Sequence, residues 1–243
     1  MTDKDPKKPG ELFSFVSKRG TTDDDAPDPA KTGAKRSRGA RVSWTRDDAP
    51  PPVDRICEAA LALFVEKGYR STTLDAIARR GGLTKGAIYY YFDSKVELLA
   101  EILDRVEASY PRGKPDSGDP CEKLVNFLHT QAKWAIQRPN DLFLLMLLSI
   151  EFKDNRSRMG RKVRKIYDEM SGAMSEILAE GQASGAFRSS LSPRQLGAFY
   201  VAAHDGLMLE WYRGGRTLKK GEELVQALRH VMLSTLKPGR QAA

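Results

Sequence analysis

Apolar positions along most of the chain recur with the 3.6-residue period of an amphipathic helix. From Val53 onward Ile56, Ala60, Leu63 and Phe64 stand at i, i+4, i+7 and i+8, and Gly68 supplies a stop, which predicts a first helix. Thr73 is placed to N-cap a short second helix whose Leu74, Ile77 and Ala78 face inward, and Gly81-Gly82 breaks it. Thr84 is placed to cap a third helix that runs to about Tyr91. Phe92-Asp93-Ser94 reads as a turn, and Ser94 followed by Glu97 as a capping box opening a fourth helix with Val96, Leu99, Ile102 and Leu103 apolar. Past the loop from Pro111 to Pro120, helical segments recur at about 121–137, 141–152, 157–184, 193–213 and 221–236. Their dividers are Pro139, Asp154-Asn155, Gly185 and Gly214-Gly215. No stretch competes as a strand and none repeats, so the expected fold is all-α.

The first 50 residues break this pattern. Pro, Gly, Asp and Lys clusters surround one apolar island, Leu12 to Val16, too little to offset the entropy of ordering, and Pro50-Pro51-Pro52 marks a boundary. The expected organisation is a disordered basic extension over 1–50, a three-helix domain over 51–98, a larger helical domain over 99–238 and a tail over 239–243. Within the extension, Lys31, Lys35, Arg36, Arg38, Arg41 and Arg46 form a run without an acid. A basic arm just ahead of a DNA-binding domain can follow the phosphate backbone or lay arginine in a minor groove, and Arg36, Arg38 and Arg41 are the candidates.

Charge narrows the function. Forty Lys and Arg against 32 Asp and Glu leave +8, which suits a polyanionic partner as well as solubility. Cys57 and Cys121 are too few and too far apart for a disulfide framework, which suits a reducing cytoplasm. The longest apolar run, Leu142 to Ile150, is far below the roughly 20 residues that span a bilayer. No nucleophile elbow, phosphate loop or paired metal-ligand motif occurs, and three histidines speak against a metal site, so neither an enzyme nor a cofactor is expected.

The second and third helices, joined through Gly81 to Thr84, form a helix-turn-helix, whose second helix enters the major groove by its N-terminal residues. With Ile88 as the buried anchor, Lys85 and Tyr89 share one outward stripe and Gly86 and Tyr90 the next. Lys85 can donate to guanine or phosphate, and Gly86 lets the backbone come close to DNA. Tyr91, three residues after Ile88, is left open between packing and exposure. Gly68-Tyr69, the run Thr72 to Ala78 and the run Leu83 to Lys95 closely resemble the signature of the TetR family of regulators, over residues 53 to about 105. The resemblance implies that Thr84, Lys85, Gly86, Ala87 and Tyr89 approach bases or phosphates and that Tyr90, Lys95 and Thr73 hold the DNA backbone. Position 91, usually histidine in the family, is Tyr91 here, which leaves a contact from it in doubt.

The resemblance also implies a C-terminal bundle that encloses an effector and dimerises through its last two long helices. The segment 193–213 is apolar nearly all round, which demands burial on two sides, against a partner subunit or within a larger monomer core. The last helix carries two stripes, Leu224/Leu228/Val231 and Val225/Met232/Leu236, one for the core and one for a partner. Large or soft side chains nominate the effector pocket: Phe127, Trp134, Phe143, Met146, Met170, Met174 and Tyr200, with His129 and His204 able to hydrogen-bond a polar group. A second basic run, Arg156, Arg158, Arg161, Lys162, Arg164 and Lys165, suits an anionic effector such as an acyl-coenzyme A, or is a solvated face. The expected function is a homodimeric, sequence-specific DNA-binding regulator, a repressor released from a palindromic operator by a small apolar or amphipathic effector. An all-helical interaction scaffold without specific DNA binding is the alternative.

Overall fold

Short polar side chains and prolines set most helix starts in the computed structural model, which describes residues 50–112, 115, 117–153 and 157–238. The elements are α1 (Pro52–Lys67), α2 (Leu74–Gly81), α3 (Lys85–Tyr91), α4 (Lys95–Ser109), α5 (Pro120–Gln137), α6 (Pro139–Glu151), α7 (Arg158–Ala183), β1 (Phe187–Arg188), α8 (Pro193–Arg213), α9 (Leu218–Thr235) and β2 (Lys237–Pro238). Thr73, Thr84, Ser94, Ser157, Ser192 and Thr217 each accept a backbone N–H of the first turn they cap. Proline at the first helical position of α5, α6 and α8 has no N–H to leave orphaned.

The fold is all-α, as expected, with three local differences. Pro139 opens α6 instead of dividing two helices, and Arg138 alone serves as the C-cap of α5 and the N-cap of α6. At α4 the Ser94 hydroxyl takes the Glu97 N–H at 3.1 Å, but the Glu97 carboxylate reaches past the cap to the Asp93 N–H at 2.7 Å. β1 and β2 form a two-residue antiparallel pair, Phe187 with Pro238 and Arg188 with Lys237. Two residues are too short for alternation to show in sequence.

Two buried clusters hold the helices. The larger runs from Ile56, Leu63 and Phe64 of α1 through Leu98, Leu99 and Leu103 of α4 to Leu142, Leu145, Val163 and Met170 of α6 and α7. The smaller joins Leu124 and Phe127 of α5, Met174 and Ile177 of α7, Tyr200 of α8 and Met232 of α9. A methyl carbon at Gly197 would lie 2.2 Å from the Ser175 hydroxyl oxygen, so that glycine sets how closely α8 lies on α7. The two sequence stripes of α9 divide differently from expectation: Met232 and Leu236 are buried, Leu224, Val225 and Leu228 half-buried, and Val231 exposed. Among the described residues no helix is long and apolar enough to cross a membrane.

Candidate nucleic-acid interface

The segment Leu74 to Tyr91 owes its shape to three side chains outside the recognition helix. Arg55 of α1 donates from Nη2 to the carbonyls of Gly81 at 2.6 Å and Gly82 at 3.1 Å, which holds the turn between α2 and α3. Gly82 itself is left-handed at φ +64°, and the Leu83 N–H closes back on the Ala78 carbonyl at 2.9 Å. Thr72, 2% exposed, donates its hydroxyl to the Gly68 carbonyl at 2.8 Å and fixes the end of α1.

Lys95 is the third. Its ammonium donates to the carbonyls of Tyr69 at 2.8 Å, Thr72 at 2.8 Å and Arg70 at 3.3 Å, and sits 4.4 Å from the Tyr69 ring centroid. These contacts engage the three donors an ammonium has, in the side chain that the resemblance names as a DNA-backbone contact. Arg55 and Thr72 were missed by sequence reading. Their partners are carbonyl groups, which every residue has, so no residue pattern could flag the pairings.

On this frame α3 presents one face. Ile88 is fully buried and Phe92 nearly so, while Tyr90 is 82% exposed, Tyr89 49% and Tyr91 40%. Tyr91, left open by the sequence, therefore belongs to the outer surface, edge-on to Tyr90 with ring centroids 4.9 Å apart. Thr84 accepts the Ala87 N–H at 3.1 Å and Thr73 the Ala76 N–H at 3.2 Å. Accepting uses an oxygen lone pair, so each exposed hydroxyl keeps an O–H to donate outward. Lys85 and Gly86 are exposed and Ala87 half-exposed.

The charges here are held loosely. Lys85 pairs with Asp75 at 3.2 Å with both side chains about half exposed, and Arg80 with Glu66 at 2.8 Å. Exposed pairs of this kind contribute about 0.2–1 kcal/mol, so a phosphate can take over the lysine at small cost. A methyl carbon added at Gly86 would meet nothing nearer than the Thr84 hydroxyl oxygen at 3.9 Å. The folded chain does not itself require glycine there.

Residues 56–102 match the family model of bacterial regulatory proteins, tetR family. The chain is similar to the MbdR regulator from Azoarcus sp. CIB, whose crystal structure it matches with 36% identity and a TM-score of 0.66 over 77% of this chain and 100% of that one. The chain belongs to the TetR family. It is also 25% identical over 177 residues to the transcriptional repressor KstR2 of Mycolicibacterium smegmatis, covering 68% of this chain and 81% of that protein. FadR from Bacillus subtilis, crystallised with stearoyl-CoA, shares the fold at 20% identity and a TM-score of 0.55 over 76% of this chain and 99% of that one. Like its TetR relatives this protein is a DNA-binding transcriptional regulator, not an enzyme.

The residues nominated for an effector pocket in this TetR chain fall into two groups, four in the larger core cluster and three in the smaller. Trp134, Phe143, Met146 and Met170 are buried in the larger core cluster, and Phe127 and Met174 in the smaller, all 6% exposed or less. Tyr200, of the smaller cluster, lines a cavity with His204 between α5, α8 and α9. Part of the basic run is paired with acids. Lys162 pairs with Asp104 of α4, Lys165 with Glu107 of α4 at 2.8 Å, and Arg164 with Asp168 at 3.6 Å. Arg156 and the arm candidates Arg36, Arg38 and Arg41 lie outside the described residues.

Both cysteines are free, and burial pushes the Cys57 thiol up to about 11, so it stays protonated.

Proposed function

We propose that this regulator binds an inverted-repeat operator as a homodimer, represses from it, and is released by a small apolar or amphipathic effector held in the C-terminal helices. The observation that carries the DNA reading is the split of α3. Ile88 is fully buried, while Lys85, Gly86, Tyr89 and Tyr90 line the outer side with Thr73 and Thr84 capping beside them. Thr84, Lys85, Gly86, Ala87 and Tyr89 then face base edges and phosphates, and Tyr90 and Thr73 grip the flanking backbone. A helical scaffold would have no use for this arrangement.

Dimerisation is supported by an exposed stripe of α8, Phe199, Ala202, Gly206 and Leu209, and by exposed Ala227 and Val231 of α9. Its small residues allow a second pair of helices to approach, and a two-fold axis there sets two α3 helices on successive turns of DNA. Release is supported by the contacts between the helices that bind effector and those that bind DNA. Asp104 and Glu107 of α4 pair with Lys162 and Lys165 of α7, and at the other edge Arg70 pairs with Glu151 at 3.0 Å while Tyr69 lies 5.6 Å from Phe152. A shift of α6 or α7 therefore moves the helix-turn-helix.

The test is selection from random duplex DNA with the full chain. We expect enriched sequences with two inverted half-sites about one helical turn or slightly more apart; enrichment of a single asymmetric site by a monomer rejects the reading.

A further inference from the structure

The cavity between α5, α8 and α9 has a composition that specifies its occupant. Leu128, Leu207, Met208 and Leu228 form an apolar wall. Its polar lining residues are Gln131, Tyr200, His204 and Arg229, one of them basic and none acidic. The Tyr200 hydroxyl is fully enclosed and has no hydrogen-bond partner, and Nδ1 of the buried His204 has none either, with the nearest acid, Asp205, 3.5 Å away. Buried polar atoms in native proteins are almost always paired, and a buried unpaired phenol at a cavity wall is a donor waiting for an acceptor. Burial drives the Tyr200 phenol well above its ordinary ionisation range, so it remains an O–H donor.

We propose that this cavity binds a small monocarboxylic acid, its apolar body against the leucines and Met208 and its carboxylate between the Tyr200 hydroxyl and the Arg229 guanidinium. Two oxygens match one hydroxyl and one planar cation, whereas a phosphate brings a third oxygen and a second charge that this lining does not answer. A cationic ligand would face Arg229 with no acid lining the cavity. The cavity measures about 20 Å3, room for about one water molecule. An acid can therefore enter only if α5 and α9 separate around it, which makes binding and rearrangement one event. That this acid is the effector rests on the reading of the protein as an effector-released regulator.

The test uses the full chain, titrated calorimetrically with the straight-chain acids from butanoate to decanoate, benzoate and phenylacetate. Octan-1-ol and octylamine are the uncharged and cationic controls for octanoate. We expect at least one acid to saturate one site per subunit, with the matched alcohol or amine at least tenfold weaker. Arg229→Gln should weaken that acid at least tenfold and leave the alcohol unchanged, a split that general loss of packing would not produce. Tyr200→Phe should weaken the acid while preserving the melting temperature, and Arg229→Gln carries the test if that variant fails to fold. The proposal is overturned if no acid binds and the cavity holds an ordered water only, if alcohol or amine binds as tightly, or if Arg229→Gln leaves the acid unaffected. Operator binding is followed in parallel. An acid that binds without releasing DNA upholds the site and rejects effector release, whereas a releasing compound that does not compete with the acid upholds release and removes this site from it.

Discussion

Gly86 and Lys85 separate the demands of folding from those of binding. Glycine within a helix costs about 1 kcal/mol relative to alanine, and the space around Gly86 would accept a methyl group without contact. We expect Gly86→Ala to raise the melting temperature slightly and yet weaken operator binding, because the added methyl stands where the DNA surface approaches. Lys85→Ala should leave melting nearly unchanged and cost about 1–3 kcal/mol of operator affinity per half-site, as its pair with Asp75 is exposed and weak. Thermal denaturation and fluorescence-anisotropy titration measure both, and a Gly86→Ala protein with full affinity would remove Gly86 from the interface. At this scale the caps were legible, because Thr73, Thr84 and Ser94 act on backbone N–H groups within three residues. Lys95 was not, since its carbonyl partners lie 23 to 26 residues back along the chain.

Helix α4 joins the helix-turn-helix to the bundle on both of its flanks. Arg105 binds Asp54 of α1 at 2.6 Å and Glu101 at 2.8 Å, while Asp104 and Glu107 meet α7. The hydrogen bond from Lys165 holds the Glu107 carboxyl below its ordinary value of 4.5, against the opposing effect of burial, with further help from Lys165, Arg112 and Lys162 as charges. A carboxyl depressed in the folded state contributes stability that is present in full above its unfolded value and is lost as pH falls through its folded value. We therefore expect Glu107→Gln to lower the melting temperature at neutral pH. The gap from the unmodified chain should close as pH drops below 4.5, the ordinary glutamate value. A gap that persists at acid pH would assign the loss to packing. The basic segment of α7 was visible in sequence, but its acid partners on α4 were chosen by the crossing of two helices far apart in the chain.

At the scale of the whole molecule, the open question between a larger monomer core and a dimer turns on the outer face of α8. Phe199 is 45% exposed and Leu209 41%, whereas Leu196, Tyr200 and Met208 of the same helix are 5% or less. The protein's own core thus covers one side of a helix that is apolar on two. We expect Phe199→Glu to shift the chain to a monomer in sedimentation velocity, to change the unfolding of each subunit little, and to reduce operator binding to the level of a single half-site. A Phe199→Glu protein that remains dimeric at micromolar concentration would place the interface elsewhere.

What the sequence by itself determined is what short range governs. Helix periodicity, caps within one turn, and the dense run from Leu83 to Lys95 sufficed for an all-α chain with a helix-turn-helix and for the outward face of α3. Tertiary structure decided wherever two distant segments had to meet. The seven pocket candidates lie buried in two core clusters, since size and softness suit a side chain to core or pocket alike, and the meeting of α5, α8 and α9 sets Tyr200 beside a cavity with Gln131 and Arg229. The same holds for Lys95 and for the α7 basic run. A charge declares its sign in the sequence, but its partner is set by which backbone or helix the fold brings within about 3 Å of it.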